Sequence, residues 1–253
     1  MSMAEIKQGI AVVTGAGSGL GRALAVELAA QDVQVIGFGR RLEALQGTAE
    51  LVAGGQFTPM VVDVSDANAV AAAFGEIGGP VTILINNAAV YPRRDILDET
   101  PESFAQTMQI NLGGLINCNH MALAGMVQTG VGRIVNVASF ADIAPMAASS
   151  AYSVSKGAAR ILTKALVADL GDRFPDIVIS DWLPGMLATR MGIADGLQPE
   201  VAAKWGVKLA LWHDPTLNGV TFEMDRELLP PQSLKRRLLN KLLLRRSPAP
   251  RLL

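Results

Sequence analysis

Short, almost wholly apolar runs alternate along this chain with longer stretches whose apolar positions recur every three or four residues. The runs Ile10 to Val13, Gln34 to Phe38, Pro59 to Val62, Val81 to Ile85, Arg133 to Ala138, Asp176 to Trp182 and Val220 to Met224 predict seven strands. Between them, helical periodicity predicts helices over Arg22 to Ala30, Leu42 to Val52 and Ala67 to Ile77, a long one within Glu102 to Val127, and two more over Ala151 to Leu170 and Pro199 to Leu211. Strands that are apolar throughout are buried on both faces, which a parallel sheet covered by crossover helices provides. The pattern therefore predicts one α/β domain, a doubly wound parallel seven-stranded sheet. Ligands of such sheets sit beyond the strand C-terminal ends, where the strand order reverses. No internal repeat or low-complexity tract interrupts the alternation.

Composition narrows the class. The 253 residues are 50% hydrophobic and carry a net charge of −1, so no global field draws the chain to nucleic acid. Cys118 is the single cysteine, which leaves neither an internal disulfide nor a Cys-rich metal site to expect. The N-terminal residues Met1 to Lys7 reach the first strand too soon for a secretory signal, and no apolar run is long enough to span a bilayer, so the expected location is cytoplasmic.

Two motifs carry chemistry. Thr14-Gly15-Ala16-Gly17-Ser18-Gly19-Leu20-Gly21 stands between the first strand and the first helix. Glycines there let the backbone turn tightly, and the helix N-terminus offers free amides and a partial positive charge, together a phosphate cradle. In Ala151-Tyr152-Ser153-Val154-Ser155-Lys156 the tyrosine and lysine lie four apart and share a helix face. An ammonium beside a phenol lowers the phenol's pKa toward the range useful for proton transfer.

With both motifs in place the chain resembles the short-chain dehydrogenase/reductase family over roughly residues 8 to 225. The family's T-G-x-x-x-G-x-G is matched by Thr14, Gly15, Gly19 and Gly21. Its N-N-A-G appears as Asn86-Asn87-Ala88-Ala89, with Ala89 in the place of the usual glycine. Ser139, Asn111, and Pro184-Gly185 with Thr189 follow in the family's order. The resemblance implies a Rossmann-fold NAD(P)-binding catalytic domain over residues 1–225 that transfers hydride between a nicotinamide and a ketone or secondary alcohol. It implies Tyr152 as general acid and base, Ser139 as a hydrogen-bond donor to the reacting oxygen, Lys156 as the partner of the nicotinamide ribose and of the phenol, and Asn111 as the holder of a water linking Lys156 to solvent. Ser139 capping the turn after its strand and Asn111 as an ordinary helix residue are the bland alternatives.

For the cofactor, the resemblance places Gly15, Ser18, Gly19 and Leu20 at the pyrophosphate, and Asp63 and Val64 at the adenine. It places Asn87, Ala88 and Ala89 along the cofactor, and Pro184, Gly185, Leu187 and Thr189 near the carboxamide. The end of the second strand reads Phe38-Gly39-Arg40-Arg41, with a glycine where an acid would grip a ribose diol and two guanidiniums next, so NADP(H) is favoured over NAD(H). Arg40 and Arg41 starting a solvated helix, and Asp63 capping a turn, are the alternatives there. The resemblance further implies a homodimer or homotetramer built on the long helices.

Tyr91, Ala141, Ile143, Met146, Met186 and Met191 are the expected pocket lining, an apolar set suited to a bulky or hydrophobic ketone under a short lid. An NAD-dependent alcohol dehydrogenase of the same family and a non-catalytic dinucleotide-binding module stay open as other readings. Residues 226–253 hold eight Lys/Arg and one Glu, which leaves the first 225 residues at −8. Leu234, Leu238, Leu239 and Leu242 recur at helical spacing in this basic tail. It is expected either as part of the same domain or as a contact with a sister subunit, with docking or disorder favoured over a membrane surface.

Overall fold

A computed structural model describes residues 6–229 and 249–253 of the chain. Its strands are β1 (Ile10–Thr14), β2 (Gln34–Gly39), β3 (Phe57–Val61), β4 (Val81–Asn86), β5 (Gly132–Val137), β6 (Ile177–Leu183), β7 (Thr221–Glu223) and β8 (Arg226–Glu227). Its helices are α1 (Gly19–Ala29), α2 (Leu42–Ala49), α3 (Ala67–Glu76), α4 (Pro101–Met108), α5 (Gly114–Thr129), α6 (Ser150–Leu170) and α7 (Pro199–Leu211). The strand order is β3-β2-β1-β4-β5-β6-β7-β8, so the order reverses between β1 and β4. Strands β1 to β7 are parallel, as the apolar runs predict.

The sheet gains an eighth strand that the hydrophobic pattern does not predict. β8 folds back antiparallel on β7, pairing Glu223 with Arg226 across Met224 and Asp225. Met224 takes a left-handed φ of 52°, the sense that a two-residue hairpin turn requires. A Met-Asp pair carries no such turn signature, so the sequence reads as a strand running on through Met224.

Alternation along each strand divides the core in two. Ala11 and Val13 of β1 face a cluster with Leu24 and Leu28 of α1 and Ala203 and Val207 of α7. Val12 faces the opposite cluster, with Val70 of α3 and Cys118, Ala122 and Met126 of α5. Each fully buried Leu, Val or Met contributes roughly 1.5–3 kcal/mol, and the two clusters clamp the sheet from both sides. Strand positions and loops at the β1, β4, β5 and β6 C-terminal ends are thereby held rigidly.

A guanidinium lies within this core. Arg133 of β5 is fully buried, and its Nε donates to the carbonyls of Leu209 and Trp212, each at 3.2 Å. Its Nη1 donates to Ile134 and Val178 carbonyls at 2.8 and 3.1 Å. The guanidinium thus closes the C-terminus of α7, where carbonyls lack helical partners and the helix dipole favours a cation. Burial pushes its pKa down to about 9.

The described end of the chain docks on this same edge. Arg251 makes a bidentate pair with Glu227, Nε to Oε2 at 2.8 Å and Nη2 to Oε1 at 3.0 Å, and its Nη1 donates to Thr216 Oγ1 at 2.9 Å. Leu252 bridges to Arg226, and Leu253 packs against the first core cluster. The amphipathic stretch Leu234 to Arg246 lies outside the described residues.

Replacing Arg133 by Ala removes its bonds to four carbonyls and leaves a void, so Arg133→Ala is expected to lower unfolding free energy by roughly 2–4 kcal/mol. Urea denaturation of the purified variant checks this; a loss below about 0.5 kcal/mol, typical of a surface change, would remove Arg133 from the support of α7.

Candidate active site

The glycine loop joins β1 to α1 at the reversal point of the sheet. Gly15 has a φ of 69°, which an L side chain adopts only under strain, and a Cβ at Gly21 would collide with the Gly15 carbonyl. Ser18 is the N-cap of α1, yet its hydroxyl makes no capping bond, so it takes up none of the first-turn amides. These are the features a bound phosphate needs: backbone close at hand and amides not claimed by a capping side chain. Leu20 is buried beneath the loop, and Gly19 opens the helix. Arg22 supports the loop from below, donating to the Gly17 carbonyl at 2.7 Å and to Thr48 Oγ1 at 3.1 Å, while Thr48 donates to the Ala16 carbonyl at 2.8 Å.

The Asn87-Ala88-Ala89 segment after β4 is tied to this loop. Thr14 Oγ1 accepts the amides of Asn87 and Ala88, both at 2.9 Å, and Asn87 Nδ2 donates to the Thr14 carbonyl at 2.9 Å. From the far side Pro184, Gly185, Leu187 and Thr189 follow β6. A side chain at Gly19 would meet the Thr189 methyl at 3.3 Å, so this loop reaches over the cradle.

Arg40 and Arg41 are both exposed just past β2, with Arg41 as the N-cap residue of α2. Asp63 stands at the end of the neighbouring strand and does cap its turn: Oδ1 accepts Ser65 N at 3.0 Å and Ser65 Oγ at 2.7 Å. The Ser65 hydroxyl bond, with Arg40 adding a smaller charge effect against burial, holds its carboxyl below the ordinary value. Val64 is buried against Gly114.

Ser139, Tyr152 and Lys156 come together beyond β5. Ser139 is the N-cap of a short turn over Phe140–Asp142, its Oγ accepting Ala141 N at 3.2 Å, and it is near enough to the Tyr152 phenol to influence its titration. Lys156 is buried, and its Nζ donates to the Val137 carbonyl at 2.7 Å while lying 5.8 Å from the Tyr152 ring centroid. The phenol is raised above its ordinary value, chiefly by burial, with Ser139 pulling it down and Tyr91 and Asp142 pushing it up. This is the reverse of the direction expected from a Tyr-Lys pair alone, because desolvation is the largest influence on the phenol. Lys156 is pushed down to about 8 by burial, with Asp181 and Asp142 acting against it.

Asn111 sits in a π turn, Gln109–Gly113, between α4 and α5, and this extra residue per turn aims its side chain inward. Its Oδ1 accepts Val90 N at 2.8 Å, and its Nδ2 donates to the Val90 carbonyl at 2.9 Å and Ser155 Oγ at 3.0 Å. The amide thereby fixes the loop after β4 against α6.

Several site residues escape a reading of motifs. Asp181 of β6 is buried behind Lys156, accepting Thr163 Oγ1 at 2.7 Å, and Asn136, its strand neighbour, donates to the same hydroxyl at 2.9 Å. Asp142 pairs with Arg160 at 2.8 Å. A charge inside the apolar run Ile177–Leu183 is itself a sequence signal, but nothing local tells which groups it meets.

Burial raises Asp181 to about 7, with Thr163, Arg160 and Lys164 pulling it down and Asp142 pushing it up. Because the folded-state value lies above the ordinary 3.8, its stabilising contribution is full below that value and lost as pH rises through about 7. Asp181→Asn stays neutral throughout, so the melting temperature of the variant minus that of the parent is expected to grow between ~pH 4 and ~pH 7 and then level off. Thermal melts across that range test it; a flat difference would mean that Asp181 titrates like a solvated carboxyl.

A family model described as short chain dehydrogenase matches residues 9–199. Galactitol 2-dehydrogenase (L-tagatose-forming) of Cereibacter sphaeroides is 34% identical over 200 residues, 77% of this chain and 78% of that protein. Carbonyl reductase (NADPH) 2 of Sus scrofa is 34% identical over 195 residues, again 77% and 78%. L-xylulose reductase of Homo sapiens is 33% identical over 192 residues, 76% and 77%. A solved short chain dehydrogenase/reductase family protein superposes with a TM-score of 0.79 at 26% identity, covering 87% of this chain and 97% of that one. The match in sequence and in fold, over the segment that holds the glycine cradle and the Tyr-Lys helix, makes this chain a member of the short-chain dehydrogenase/reductase family, a nicotinamide-dinucleotide oxidoreductase of CH–OH and C=O groups.

Proposed function

We propose that this enzyme is an NADP(H)-dependent carbonyl reductase acting on a bulky or hydrophobic ketone, with Tyr152 as its proton donor. The observation that carries the reading is the buried Lys156 ammonium, 5.8 Å from the Tyr152 ring on the same helix, with Ser139 beside the phenol at the end of β5. A phenol held above its ordinary value keeps its proton at neutral pH, which suits a general acid. NADPH, when bound, supplies the hydride. Tyr152 Oη gives its proton to the substrate oxygen, and Ser139 Oγ donates a hydrogen bond to that oxygen as negative charge develops there. Lys156 holds the nicotinamide ribose hydroxyls and keeps a positive charge near the phenol below about pH 8. Asn111 acts as a positioning residue, fixing the Val90 backbone and the Ser155 hydroxyl on either side of the site.

Gly15, Ser18, Gly19 and Leu20 form the pyrophosphate cradle in this reading. Asp63 and Val64 flank the adenine, and Asn87, Ala88 and Ala89 run along the cofactor. Pro184, Gly185, Leu187 and Thr189 face the carboxamide side. The preference for NADP(H) rests on Gly39 at the end of β2 and on the exposed guanidiniums of Arg40 and Arg41, which suit a 2′-phosphate. One relative bears NADPH in its name, which agrees.

Two relatives are named for a polyol and a sugar. The loops after β5 and β6 in this chain instead expose Phe140, Ile143, Met146, Met186 and Met191, an apolar rim that favours a less polar substrate. A homodimer or homotetramer is part of the proposal, supported by two shallow apolar concavities of about 610 and 320 Å³ along α4, α5 and α6, meeting at Ile116. A cytoplasmic working place belongs to it as well; among the described residues no helix is long and apolar enough to cross a membrane.

Tyr152→Phe removes the proton donor while keeping the ring, so turnover of an activated aryl ketone is expected to fall by about 10²–10⁴ with NADPH affinity unchanged. Stopped assays and fluorescence titration read the two quantities, and more than half the parent rate would remove Tyr152 from the chemistry. Substituting Arg40 and Arg41 together by Ala is expected to erase a preference for NADPH over NADH in KM. A parent enzyme that already favours NADH would overturn the cofactor assignment.

A further inference from the structure

Arg93 takes no part in the chemistry above, yet it joins two walls of the site. Its Nη2 donates to the carbonyls of Met191 and Gly192 at 2.9 and 2.7 Å, across a separation of 98 and 99 residues. Its guanidinium carbon also lies 5.4 Å from the centroid of the Tyr91 ring, a cation–π distance. Tyr91 in turn stacks on Tyr152, with ring centroids 4.6 Å apart and planes 22° apart. An unbroken set of contacts therefore runs from the phenol through Tyr91 and Arg93 to the loop that follows β6.

The loop at the far end is internally bonded. Ala188 N donates to the Leu197 carbonyl and Leu197 N to the Met186 carbonyl, both at 2.8 Å, and Gly192 N donates to the Thr189 carbonyl at 3.0 Å. Such a loop shifts as one piece, and Arg93 ties that piece to the β4 side of the cleft. The backbone at Arg93 has a φ of 52°, a left-handed conformation that a residue with a Cβ adopts only when its surroundings enforce it. Outliers of this kind gather at ligand clamps.

We propose that Arg93 is a positioning residue: its bonds to the Met191 and Gly192 carbonyls and its contact with Tyr91 fix the gap between the 186–197 loop and the Tyr152 ring, and so the bulk of ketone the site accepts. The proposal rests on the reading of Tyr152 as proton donor. Arg93 is exposed, and water competes for its donors, so its effect is graded rather than all or none.

The test uses the full chain as parent, Arg93→Ala, Arg93→Lys, Tyr91→Ala and the Arg93→Ala/Tyr91→Ala double variant, each with saturating NADPH and with a bulky aryl or a small aliphatic ketone. Arg93→Ala is expected to raise KM for the bulky ketone by about three- to tenfold, more than for the small one and more than it changes kcat. Arg93→Lys, which keeps a cation and can serve one carbonyl, is expected to recover part of that loss. The double variant is expected to be little worse than the poorer single one, since both break one set of contacts. Hydrogen exchange of the 186–197 amides is expected to quicken in Arg93→Ala. An unchanged ketone KM, equal effects on both ketones, or single-variant effects that multiply independently would overturn the proposal. If Tyr152→Phe stayed fully active the functional reading would fall, whereas the exchange measurement would still judge the strap: quickened exchange supports it and unchanged exchange sinks it.

Discussion

The Thr14 hydroxyl is the tie on which the site depends. Sitting where the strand order reverses, it accepts two backbone amides from the loop after β4 while its own carbonyl accepts the Asn87 amide group. Side-by-side parallel strands fix the two loops' origins, but only such a cross-connection fixes their separation. The close contact of Gly21, Gly15 and Asn87 leaves no space for a Cβ, so the glycine cradle and the Asn-Asn-Ala-Ala segment behave as one wall. The Asn86 amide extends the tie inward, donating to Asn119 and Asn136 at 2.8 and 2.9 Å. A buried polar network of this kind stabilises one arrangement only, because any slip would strand several partners at once.

Charge is handled in the same manner around Tyr152. Lys156, Asp181, Asp142 and Arg160 are drawn into a region where isolated charges are expensive, and each has a fixed partner: Val137, Thr163, and one another for the last two. Desolvation rather than pairing sets the direction of the larger shifts, down for Lys156 and up for Asp181 and Tyr152. The consequence for chemistry is that Tyr152 keeps its proton at neutral pH, whereas Lys156 and Asp181 are brought close to each other in proton affinity.

Much of this was legible in the chain. Apolar runs placed seven strands within a few residues, and the Tyr152–Lys156 spacing placed both side chains on α6. The glycine spacing placed the cradle at the end of β1. What stayed hidden has physical reasons. β8 depends on a left-handed Met224, which no residue preference announces. The π turn at Asn111 breaks helical period by one residue, invisible among the apolar positions of two helices that appear continuous. Lys156 bonding a carbonyl of β5, Arg22 bracing the glycine loop through Thr48, and Arg93 gripping the 186–197 loop all depend on how separate elements pack, and pattern along one element carries no information about that.

The ion pair of Arg251 with Glu227 makes the last residues of the chain a fixed point on the body, as firm as the strand they join. Hydrogen bonding across the pair holds the Glu227 carboxyl below its ordinary value and the Arg251 guanidinium above its own, so both stay charged well to either side of neutral pH. The five residues 249–253 thus act as a clasp on the outer margin of the sheet, setting Leu252 against β8 where an edge strand would otherwise stand open.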